Sequence, residues 1–236
     1  MPIHTRVIPL VPLVLLLGGA AVPSLAQGTV YSQPPVFTST STTGFSSWTS
    51  STSSSFVTSD NFTLANSDSL TGITWQGFTF IANGGGQGAE PATFNIEFRA
   101  DNGGIPGTVL DNELVTPAKT LAGTTDFFGT GKQNSIYNYT ASLSSVFNAP
   151  ANTPLWVSVI GDTTSSNFWT WTQGTGGNNA SYQEITGGGS TTRSGDRAFS
   201  LSGAPVPEDS TTVSLGLLLM LGLGGVLAAR RKRAIR

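Results

Sequence analysis

Phe94-Asn95-Ile96-Glu97-Phe98-Arg99 alternates apolar and polar side chains without a break. Successive side chains of an extended strand point to opposite faces. The pattern therefore puts Phe94, Ile96 and Phe98 on a buried face and Asn95, Glu97 and Arg99 on a wet one. A helix would need its apolar residues three and four apart, and no such period runs through residues 60–203. Asp101-Asn102-Gly103-Gly104 follows as a tight turn, and Ile105-Pro106-Gly107 leads into another short strand over residues 108–110. This stretch sets the expected class as all-β, an antiparallel sandwich or barrel.

The same grammar extends in both directions. Upstream, Phe62 and Leu64 begin a strand, and Ile73, Trp75, Phe78 and Phe80 mark another with a kink at Gly77. Downstream, Ile136, Tyr137 and Tyr139 predict one strand and residues 143–147 a separate one. Residues 155–160, Leu-Trp-Val-Ser-Val-Ile, read as a more buried strand. Residues 168–171 precede a Gly/Asn loop, and residues 198–201 close the domain. The glycine-rich residues 83–88 sit in no strand-to-helix frame, so no nucleotide site is expected there.

Residues 38–59 are a Ser/Thr tract, 17 of 22 positions hydroxylated, interrupted by Gly44, Phe45, Trp48, Phe56 and Val57. Such a composition suits an O-glycosylated stalk. The spaced aromatics favour instead a partly ordered β-hairpin that pins them into the core, since disordered segments are poor in aromatics.

Both ends of the chain read as export signals. Arg6, the apolar residues 7–22 and the small-x-small site Ser24-Leu25-Ala26 describe a secretory signal peptide cleaved before Gln27. At the other end, Val206-Pro207-Glu208-Asp209 precedes an uncharged apolar stretch over 213–229 and the cluster Arg230-Arg231-Lys232-Arg233. As a helix, that stretch reaches roughly 25 Å, enough for a thin hydrocarbon core. The basic cluster orients it with the preceding chain outside.

This tripartite tail resembles the PEP-CTERM sorting signal of Gram-negative bacteria, over residues 206–236. Val206, Pro207 and Glu208 match the usual Val-Pro-Glu-Pro motif, and Asp209 stands where its second Pro belongs. The resemblance implies transient membrane insertion and cleavage by an exosortase-like processing enzyme. Delivery to the cell surface or exopolysaccharide matrix follows.

A second resemblance covers residues 60–203. Its order is Asp60-Asn61-Phe62-Thr63-Leu64, Ile73-Thr74-Trp75, the alternating strand and turn quoted above, Leu155-Trp156-Val157-Ser158-Val159, and Asp196-Arg197-Ala198-Phe199. This looks like the secreted jelly-roll-like β-sandwich domains that often precede such tails, and it implies no catalytic residues. The expected organisation is a signal peptide over 1–26, a Ser/Thr-rich segment over 27–59 and a β-sandwich over 60–203. The sorting signal occupies 204–236, with its motif at 206–209, transmembrane helix at 213–229 and basic tail at 230–236.

Composition excludes several chemistries from the mature chain. The one histidine, His4, leaves with the signal peptide, and there is no cysteine. Ser-His-Asp and Cys-His catalysis and imidazole or thiolate zinc sites are therefore unavailable, as are disulfides. Residues 27–207 hold five basic against eleven acidic residues, a net charge of −6, which offers nucleic acid no footprint.

Three sets of candidate residues remain. Trp169 and Trp171, two apart, share one strand face. If exposed they form a platform for sugar rings, as in a carbohydrate-binding module for exopolysaccharide, with Asn167, Gln173 and Asn178 as hydrogen-bonders. If buried, they fill the core. Asp101, Asp111, Glu113 and Asp126 are oxygen donors of the kind calcium takes, but no Asp-x-Asp-x-Asp run joins them and Asx residues in turns normally cap their own backbone. No cofactor is expected, with calcium the one alternative. Glu90 and Glu97 are the remaining carboxylates for a glycosidase pair, though Glu97 beside Arg99 reads as a surface ion pair. The function expected is that of a non-enzymatic, structural or adhesive surface protein.

Overall fold

The computed structural model describes residues 27–38, 45–83 and 85–205. The signal peptide with Ser24 and Ala26, the sorting motif at Val206, Pro207, Glu208 and Asp209, the apolar span and the basic cluster Arg230, Arg231, Lys232 and Arg233 lie outside the described residues.

The described chain is all-β, with two antiparallel sheets. In chain order the strands are β1 Gly28–Gln33, β2 Ser47–Thr49, β3 Phe56–Phe62, β4 Asp68–Ile81, β5 Phe94–Asp101, β6 Pro106–Val115 and β7 Ala118–Thr125. They continue as β8 Asn134–Ala149, β9 Leu155–Gly161, β10 Asn167–Thr172, β11 Ala180–Ile185, β12 Ser190–Ser194 and β13 Phe199–Pro205. The six-stranded sheet runs β12-β11-β3-β9-β5-β6. The seven-stranded sheet is organised around the long β4, which pairs β8 along one side, while β13 and β10 follow each other along the other. β7 extends the sheet beyond β8, β1 beyond β13 and β2 beyond β10.

The sheets enclose one core, as the alternating strands require. Phe94, Ile96, Phe98, Val157 and Val159 of the smaller sheet face Ile73, Trp75, Tyr139, Trp169, Phe199 and Leu201 of the larger. Phe94 sits at the centre, its ring 5.0 Å from each of Trp75, Tyr139 and Trp169. These aromatic pairs add specific geometry to the area they remove from water. The half-buried strand read from the sequence is β5, whose Asn95, Glu97 and Arg99 are partly exposed while Phe94, Ile96 and Phe98 are fully buried.

A second apolar cluster lies on the outer face of the larger sheet. Phe78 and Phe80 point away from Trp75 and pack with Phe37, Phe45, Phe127 and Ile136. Residues 75–79 of β4 are therefore buried on both faces.

Several expected boundaries move. The separate strands read at 136–139 and 143–147 are one strand, β8, with a slip in register. Leu70 pairs Phe147 and Gly72 pairs Ser142, so residues 143–146 oppose Thr71 alone. The irregularity of β4 sits there and not at Gly77, which pairs regularly with both Trp171 and Tyr137.

The Ser/Thr tract is ordered β structure over its described part, but not a hairpin. β2 belongs to the larger sheet and β3 to the smaller, joined by a 3-10 turn at Thr52–Ser54. Its buried hydroxyls cap backbone groups at that crossing: Thr58 Oγ1 donates to Thr49 O at 2.8 Å, Thr58 N donates to Ser50 Oγ at 3.1 Å, and Ser59 pairs with Ser158 at 2.7 Å. The division expected at residue 60 falls inside β3, and β1 is hydrogen-bonded to β13, so the earlier segment is part of the same fold.

Candidate functional site

β10 carries the two tryptophans singled out for glycan stacking, and both side chains are wholly buried. The exposed platform is thus corrected. Trp169 and Trp171 do share a face, but it is the face turned to the core, where Trp169 meets Phe94 and Trp171 meets Phe199. Trp171 Nε1 donates to Ala198 O at 2.8 Å. The polar neighbours are engaged with backbone: Asn167 Oδ1 accepts from Ala89 N, Gln173 Oε1 from Ser46 N and Asn178 Oδ1 from Ala180 N.

The four oxygen donors considered for calcium do not converge on one point, although Asp111 and Glu113 both accept from Ser145 Oγ. Asp101 accepts from Gly104 N within its turn and from Trp156 Nε1 at 2.7 Å. Asp126 closes its loop by accepting from Thr130 N and Gly131 N. Asp111 accepts from Asn112 N. Glu113 reaches from β6 to the slipped part of β8 and accepts from both the N–H and the hydroxyl of Ser144 and of Ser145. It replaces the strand partner that β4 cannot supply there. Burial pushes its carboxyl up, but those four donors outweigh it and hold the group below the ordinary glutamate value. Among the described residues no three His, Cys, Asp or Glu side chains gather in a metal-binding arrangement.

Glu90 and Glu97 are not a facing pair. Glu97 lies on the outer side of β5, where Arg99 bridges it at 3.0 Å and Glu184 at 2.9 Å. Glu90 instead caps one end of the core, accepting from Tyr139 Oη, Gln87 Nε2 and Thr79 N. Burial raises its pKa above the ordinary glutamate value against those hydrogen bonds.

A buried polar cluster escaped the sequence reading. Asp60 on β3 and Arg197 just before β13 are both fully buried, and Asp196 nearly so. The Asp60 carboxylate accepts from Arg197 N and Asn61 N. The Arg197 guanidinium donates to the carbonyls of Trp171, Ser194 and Gly195 and to Ser46 Oγ. Asp196 accepts from Gly177 N and Asn179 N, tying the Gly/Asn loop down. Burial drives the Asp60 carboxyl well above the usual carboxylate range and the Arg197 guanidinium down to about 10. Every strong interaction in the cluster is internal, so it braces the junction of the two sheets.

A surface groove combines an apolar floor with polar groups at its rim. At the end of the sandwich where β5 turns into β6 and β8 meets β9, a groove of about 510 Å³ is lined by Leu110, Phe147 and Pro154 together with Asp101, Asn148 and Thr153. The Phe147 ring is stacked on buried Phe98, with centroids 4.5 Å apart and planes 5° from parallel. Comparison with known proteins gives no matching family model, no similar curated protein and no similar solved structure.

Proposed function

We propose that the chain is an exported, non-enzymatic protein of the bacterial cell surface or extracellular matrix, structural or adhesive in role. In this reading its two sheets form a jelly-roll-like sandwich carried between a signal-peptide helix and a C-terminal transmembrane helix. The observation that carries it is the tripartite tail, Val206-Pro207-Glu208-Asp209, apolar 213–229 and the Arg/Lys cluster 230–233. Pro205 of β13, the last described residue, pairs Asp68, and the motif follows it directly in the sequence. Cleavage within the motif by an exosortase-like enzyme leaves the strands of the described residues intact, β13 included.

The transmembrane segment is then a transient handle, and the product is a disulfide-free sheet pair whose robustness comes from its aromatic core. Deleting residues 206–236 tests the reading directly. The truncated protein should be lost from the cell surface, while mass spectrometry of the full-length product should place its mature C-terminus within residues 206–209. Unchanged localisation of the truncated chain, or a mature product retaining Arg236, overturns it.

A further inference from the structure

We infer that the groove between Phe147, Leu110 and Asp101 is a binding site for a neutral hexopyranose glycan. The glycan stacks a ring face on Phe147 and sets its hydroxyls against Asp101, Asn148 and Thr153. The site goes beyond the export reading and does not depend on it.

The floor is built for stacking. Phe98 is 1% exposed and holds the Phe147 ring flat from beneath, while Phe147 stays partly exposed on the groove. Leu110 continues this apolar surface, 52% exposed because the β5–β6 register slips around it: Phe98 pairs Asp111 and Arg99 pairs Val109, which leaves Leu110 unpaired. A braced aromatic beside exposed aliphatic carbon suits the C–H face of a sugar ring, which is flat and weakly apolar.

The rim distinguishes a glycan from a purely apolar partner. The Asp101 carboxylate is held in place by Trp156 Nε1 and Gly104 N, and its Oδ2 retains capacity to accept. Asn148 Oδ1 accepts from Ser69 Oγ, which orients the amide and leaves Nδ2 without a partner among the described residues. Thr153 Oγ1 donates to Ala151 O and keeps its acceptor side. Acceptor, donor and acceptor around an apolar floor match a polyol ring, whose hydroxyls both give and take hydrogen bonds. A lipid chain covering the groove would leave the remaining hydrogen-bonding capacity of all three unmet, at a cost. The sign of the charge selects among glycans. The one ionisable side chain lining the groove is a carboxylate and residues 27–207 carry a net −6, so uronate polymers are repelled.

Saturation-transfer NMR and calorimetry on the full chain in detergent test the site, with cellohexaose, maltohexaose and mannohexaose as neutral probes and hexagalacturonate as the acidic one. At least one neutral hexaose should bind with its ring C–H protons saturated, and hexagalacturonate should bind at least about tenfold more weakly. Phe147→Ser should weaken neutral binding about tenfold or more. Leu110→Asp, at an exposed position that leaves the fold undisturbed, should do the same with an unchanged melting temperature. The proposal fails if no neutral hexaose binds at about 1 mM, a limit corresponding to barely specific affinity. It fails equally if hexagalacturonate binds as well as the best neutral probe, or if binding survives Leu110→Asp.

Discussion

Trp169 lies directly over the α-carbon of Gly77: a β-carbon at that position would sit 2.3 Å from Trp169 Cζ2 and 2.6 Å from Thr170 O. Gly77 is therefore the hole into which the largest side chain of β10 packs, across a regular strand pair. Gly77→Ala should destabilise the fold by at least ~1–3 kcal/mol, the usual range for overpacking. Chemical denaturation measures it. A wild-type midpoint in Gly77→Ala would show that the indole is free to move aside.

Arg197 is the one buried cation among the described residues, and its four acceptors belong to β10, the end of β12, the turn before β13 and the Ser/Thr tract. Arg197→Ala leaves three buried carbonyls without a partner and should cost at least ~1–3 kcal/mol. Arg197→Lys should recover only part of that loss, because an ammonium cannot spread its donors in a planar fork. Equal stability of Arg197→Lys and wild type in urea would show that charge alone suffices.

Glu113 stands in for a missing strand partner, and its pKa is depressed. A depressed carboxyl stabilises the fold above its unfolded value, and that contribution is lost as pH falls through the folded value. Glu113→Gln should thus be less stable than wild type at pH 7, by ~1–3 kcal/mol for charge-assisted hydrogen bonds. The gap should close below the ordinary glutamate value of 4.5. A gap independent of pH would place the loss in packing.

Glu90 behaves oppositely, because burial raises its pKa. Its favourable contribution is complete below the unfolded value and is lost as pH rises through the folded one. Melting curves of Glu90→Gln against wild type should therefore converge in acid, with the variant gaining on wild type as pH climbs above 4.5. A variant that loses ground over that range would mean that the charged carboxylate is what Tyr139 and Gln87 stabilise.

The legible parts of the fold are those where a single face is buried. β5 alternates because its outer side is solvated, and it was readable down to Glu97 beside Arg99. β9 was readable as a buried strand because all its side chains, Ser158 included, are covered. β1, β11 and β12 were not, since Gly28–Gln33, Ala180–Ile185 and Ser190–Ser194 mix polar and small residues with few large apolar ones. Such strands are held by backbone pairing to a neighbour far along the chain, and pairing leaves no mark on local composition. β7 was hidden for the same reason. The continuity of β8 was hidden because Ser144 and Ser145 look like a break, while Glu113 thirty residues earlier repairs it.

The sequence alone determined the all-β class, the absence of cysteine and of any histidine after His4, and the shared face of Trp169 and Trp171. Composition dictates the second, and period-two spacing the first and third, without knowing any neighbour. Which of the two faces is covered depends on what packs against it. Only the tertiary structure could turn both indoles inward onto Phe94 and Phe199, bury Asp60 against Arg197, and leave Phe147 partly exposed along a surface groove. Burial is a property of pairs of elements, and it arises when two sheets close on each other.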